Sequence, residues 1–263
     1  MFPDFPLQSR SLRVLCAMVA TSLLAPLPVM AQSPGSNDGP AASSRAANDG
    51  VQQHLALISR YLPEGKTLAT ARTSELVEAV RQAILANPNQ AVEIAGAIAT
   101  VTTDAQINAI ADAIGKLFRT HPALRAQAVE IAIAMAEGIN SRNLSLEAAA
   151  RSVGEVSSTL ISHLDPSQQA SLDLVRGLVK GVIVINPHVD YTQTVLEIVL
   201  RTIGSMGFPD DYLGTLYADL RDVIQNPAIL QQIDALFAQL NGNNVHLQQP
   251  GMVIAPESDT MNF

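Results

Sequence analysis

Only one of the 263 residues is cysteine, and none is tryptophan. The cysteine, Cys16, lies in an apolar run near the start, so residues from 32 onward carry no thiol. That excludes a disulfide, a thiolate metal site and a cysteine nucleophile there, and stability has to come from a packed core. Aromatic residues make up only 4 % of the chain. Sugar-binding platforms and cation-binding cages lean on Trp and Tyr, and there is little here to build them with. Basic residues are scarce too, with 16 Lys and Arg against 24 Asp and Glu, a net charge of −8. Without basic clusters, neither nucleic acid nor an anionic membrane surface is an expected partner.

What is present begins with an export pattern. Arg10 and Arg13 precede an apolar run over residues 14–24, and Val29-Met30-Ala31 puts small residues ahead of Gln32. A positive start, a short apolar centre and a small-residue cleavage site make a secretory signal. The run is shorter than the roughly 20 residues a membrane span requires, so cleavage is expected rather than a retained anchor. Leu15 precedes Cys16 and most of the apolar run follows it, which argues against lipidation. Residues 1–31 are therefore read as a cleaved signal, and the chain as an exported bacterial protein of the periplasm or the external medium. Residues 32–263 would then hold 14 basic and 23 acidic residues, a net charge of −9.

Residues 32–50 contain no large apolar side chain and read as a flexible leader, because they cannot bury enough surface to offset their ordering entropy. Residues 241–263 open on Asn-Gly-Asn-Asn, hold Pro250, Gly251 and Pro256, and read as an irregular tail whose Met252-Val253-Ile254 can pack back on the body. Between them, residues 51–240 read as one all-helical domain. Ile107, Ile110, Ala111, Ile114, Leu117 and Phe118 recur at three and four residues, the period of one apolar helix face. The same holds for Leu124, Ala128, Ile131 and Met135, and for Val153, Val156, Leu160 and Leu164. It continues through Leu172, Val175, Val179 and Val182, then Leu213, Leu216, Leu220 and Val223, then Ile229, Ile233, Leu236 and Leu240. No comparable alternation of strand type occurs.

The punctuation is consistent. Asn87-Pro88, His121-Pro122, Asp165-Pro166, Asn186-Pro187 and Asn226-Pro227 each separate one helical period from the next. Asn or Asp accepts from free amides of a first turn, proline suits the first helical position, and the residue before proline resists the helix. Thr73-Ser74-Glu75, Thr103 with Gln106, Ser145, and Asp210-Asp211 mark further starts. These signals give roughly ten helices joined by loops short enough to force antiparallel neighbours. The prolines lie 34, 44, 21 and 40 residues apart, an irregular spacing for a repeat. Yet Gln-Ala-Val-Glu-Ile-Ala occurs at both 90–95 and 127–132, an echo that favours a duplicated hairpin. The expected architecture is stacked helical hairpins, as an irregular α-solenoid or a multi-helix bundle. The stripes Ala91, Ala95, Ala99 and Ala128, Ala132, Ala136 fit close helix packing. Residues 172–185 form the most apolar stretch beyond the signal and fit a central buried helix.

Candidate chemistry is thin. His163-Leu164-Asp165 and His188-Val189-Asp190 repeat one local pattern, and together they offer four N and O ligands to a zinc-like ion. Taken singly, His163 suits a helix C-terminus, Asp165 a cap and Asp190 a first turn. Gly204-Ser205-Met206-Gly207 lacks the Gly-x-Ser-x-Gly spacing and a preceding strand, so it reads as a helix end. No phosphate-loop or dinucleotide fingerprint occurs. Glu93, Glu130, Glu137, Glu155 and Glu197 sit at polar helix positions. The expectation is a non-catalytic binding or scaffold module for a protein or peptide partner, with no cofactor. The alternatives are a metal- or carboxylate-dependent envelope hydrolase around His163, Asp165, His188 and Asp190, and a carrier of an apolar ligand in a cavity.

Overall fold

The computed structural model describes residues 40–242. The expected signal, residues 32–39 of the leader and residues 243–263 of the tail lie outside the described residues. Within them the chain is all-helical, with eleven α-helices and no strand. α1 is Pro40–Ser59, α2 Thr73–Ala86, α3 Ala91–Ala99, α4 Asp104–Thr120, α5 Pro122–Arg125 and α6 Ala128–Asn140. α7 is Leu146–Ser162, α8 Gln169–Ile183, α9 Val189–Ser205, α10 Asp210–Val223 and α11 Pro227–Gly242. α1 starts inside the segment expected to be a flexible leader. Alanines at 41, 42, 46 and 47 are strong helix formers, and buried Leu55 and Ile58 fix its far end in the core.

The helices stack in two rows. α2, α4, α7, α9 and α11 pack successively in one row, and α3, α6, α8 and α10 in the other. Each hairpin contributes one helix to each row, which is the stacked arrangement the short loops demand. In the first row Asp104, Leu146, Val189 and Pro227 open successive helices 42, 43 and 38 residues apart. The irregular proline spacing has a simple cause. Pro88, Pro122 and Pro166 lie where a hairpin turns back on itself, the hairpin edge, while Pro187 and Pro227 lie where one hairpin joins the next, the linker edge. The step of 21 residues from Pro166 to Pro187 crosses one helix, α8, from edge to edge.

The helix starts obey two mechanisms. Asp165, Asn186 and Asn226 accept from the amides of Ser167, His188 and Ala228 at 3.0, 3.1 and 3.0 Å, as a capping residue should. Asn87 and His121 make no such bond. Asn87 instead donates from Nδ2 back to the Ala83 carbonyl at 3.0 Å, closing α2 behind it. Proline alone sets the next turn there, through the 3-10 turn Pro88–Gln90 and the short α5. Thr103 forms the expected capping box with Gln106, and Ser145 accepts from the Ala148 amide at 3.2 Å.

The sequence echo falls at equivalent places. α3 opens AVEIAGAIA and α6 opens AVEIAIAMA, and the two helices pack side by side in one row. All six alanines of the two stripes are buried. Contact is close enough that a Cβ on Gly138 would stand 2.6 Å from the Gly96 carbonyl oxygen. α8 is the central helix expected, with Leu172, Val175, Leu178, Val179, Val182 and Ile183 buried. α9 ends at Ser205, and Gly207 at φ 71° takes the left-handed position that closes a helix. Most hydrogen bonds between neighbouring hairpins join residues 39 to 51 apart in sequence, from Gln127–Pro88 to Asn140–Tyr191.

Candidate functional site

The four candidate ligands separate along the length of α8. His163 closes α7 and Asp165 lies in the following turn, both on the hairpin edge. His188 and Asp190 open α9 on the linker edge. α8 puts about 22 Å between the two pairs, at 1.5 Å rise per residue, whereas a zinc shell needs ligands near 2.0–2.2 Å from one point. The structure does not bring these four candidate side chains together. Among the described residues, no group of three or more His, Cys, Asp or Glu is arranged to hold a metal ion.

Each pair has a local task. The Asp190 amide donates to His188 Nδ1 at 3.3 Å, so His188 caps α9 with its ring. Asp165 accepts from the Ser167 hydroxyl at 2.7 Å and from Gln168 Nε2 at 2.8 Å. The Ser167 hydroxyl, followed by its amide and Gln168, holds the Asp165 carboxyl below the ordinary aspartate range. His121 bonds Thr120, and His54 bonds the Gly50 carbonyl one turn back. His246 lies outside the described residues. Glu93, Glu130 and Glu137 are exposed as expected, while Glu155 accepts from Asn108 Nδ2 at 2.7 Å.

His163 has a second partner that the spacing does not reveal. Its Nε2 stands 3.0 Å from Asp112 Oδ1, on the neighbouring α4, and its side chain is 9 % exposed. Lys116 holds the other carboxylate oxygen of Asp112 at 2.6 Å. Lys116 above all, and then His163, keep the Asp112 carboxyl below its usual range despite some desolvation. The His163 Nδ1 is buried and has no hydrogen-bond partner among the described residues. Gly115 makes room for the ring, since a Cβ there would collide with His163 Cδ2.

His163 lines a cleft of about 460 Å³ on the hairpin edge. Phe118 and Leu164 lie behind it almost fully buried, Met206 flanks it, and Arg119, Arg125 and Asp165 also line it. Arg119 reaches the Ser162 carbonyl at 3.4 Å, and Arg125 donates to Gln168 Oε1 at 3.2 Å. The opposite edge has another character. Val101, Val184 and Val223 are exposed by 52, 55 and 37 %. They occupy the linkers that follow α3 and α8 and the last residue of α10, so the same side of three of the four hairpins shows apolar surface. The sequence period puts Val223 in a buried stripe, but the stripe steps from Leu220 to Ile224, both buried, and leaves Val223 outside it.

Asp112, Arg119 and Arg125 carry no signal in the sequence. The one local sign is Gly115, a poor helix former in the middle of an otherwise apolar face. No protein-family model, no characterised protein and no solved structure matches the chain.

Proposed function

We propose that the chain is an exported helical-repeat protein without catalytic activity of its own, which binds a protein or peptide partner along its linker edge. The observation that carries this reading is the recurrence of solvent-exposed valine at Val101, Val184 and Val223 on one side of the stack. Stacked hairpins commonly work through such extended surfaces, and repeated apolar side chains suit an extended apolar partner. No described helix is long and apolar enough to cross a membrane. Export rests on the signal pattern over residues 1–31. The hydrolase alternative depended on four side chains that lie at opposite ends of α8.

The test is capture from an envelope extract with the native chain and with a Val101→Ser, Val184→Ser, Val223→Ser variant. The reading predicts a saturable partner retained by the native chain and lost by the variant, with an unchanged melting transition. Equal capture by both chains contradicts it. Mass measurement of the exported chain tests the signal, which requires an N-terminus at Gln32.

A further inference from the structure

We draw no further inference here: the strongest candidate, the cleft on the hairpin edge beside His163, has Phe118 and Leu164 almost fully buried behind it and its arginines bonded to the neutral oxygens of Ser162 and Gln168, so nothing in the structure shows what occupies it.

Discussion

The two edges of this stack are built from the same hairpins but closed in different ways. On the linker edge, helix starts are satisfied locally. Thr103, Ser145, His188 and Asn226 each accept from an amide two or three residues ahead. On the hairpin edge Asp165 and Asn87 also bond locally, but closure runs between hairpins as well. Gln127 reaches the Pro88 carbonyl, Arg119 the Ser162 carbonyl, Arg125 the Gln168 side chain and His163 the Asp112 carboxylate. A bond between hairpins exists below the linkers as well, at Asn140–Tyr191. The difference lies at the surface. Where caps satisfy the amides locally, the outermost side chains take no part in stacking and valine stands in solvent. Where distant side chains must meet, they leave a polar-rimmed cleft between helix ends.

The largest effect expected is one that breaks both edges together. Gly138→Ala sets a Cβ 2.6 Å from the Gly96 carbonyl, and backbone cannot swing aside. Forcing α3 from α6 should cost about 3 kcal/mol in urea unfolding, the upper end of the range for overpacking. A loss below about 1 kcal/mol would show that the rows are looser than described. Gly115→Ala acts on the hairpin edge alone. Its Cβ meets a side chain, His163, which can move only by giving up Asp112. A cost of about 2 kcal/mol is expected, with faster amide exchange at the ends of α4 and α7 and none on the linker edge.

Thr103→Ala is the matching cut on the linker edge. Removing a cap hydroxyl should cost about 1 kcal/mol and leave amide exchange at the hairpin-edge ends of α4 and α7 unchanged. Alkaline pH sharpens the same comparison below the linkers. Burial pushes the Tyr191 phenol up to about 12 from an ordinary 10.0, opposed to a lesser degree by the Asn140 amide. Its neutral form thus contributes stability that is fully present below pH 10 and is lost as pH rises toward 12. Tyr191→Phe should remove that share of the alkaline slope in a melting series, and an unchanged slope would place the loss elsewhere. The smallest effect on stability belongs to Val101→Ser with Val184→Ser. Exposed positions should change unfolding by no more than about 0.5 kcal/mol while abolishing partner capture.

Much of the fold is legible in the sequence because it is encoded locally. The 3.6-residue period of Ile107 to Phe118, the Thr103–Gln106 box and the prolines each act within a few residues, and each has its counterpart in α4 and its neighbours. Pairing of edges is not legible, since a proline looks the same whether it turns a hairpin or joins two. The local echo at 90–95 and 127–132 is the better guide, because both copies open helices of one row. For His163 the local pattern points to the wrong neighbour. Asp165, two residues on, serves its own turn, while Asp112, 51 residues back, is brought to the ring by stacking of α4 on α7. Contacts of that separation leave no periodic trace in a sequence. Only Gly115, where helix propensity yields to the space His163 occupies, hints at it.

Side-by-side stacking of helices one hairpin apart underlies both edges, and a designed disulfide can test it. Ser158 on α7 and Thr202 on α9 are hydrogen-bonded through their hydroxyls. With Cys16→Ser to remove the native thiol, a Ser158→Cys, Thr202→Cys chain should oxidise under mild conditions to an intramolecular disulfide, because bridging requires Cα atoms within about 7 Å. Rapid formation of that bond, read by intact mass and blocked by unfolding, is the result the stacked arrangement predicts. Thiols that stay free in the folded chain would contradict it.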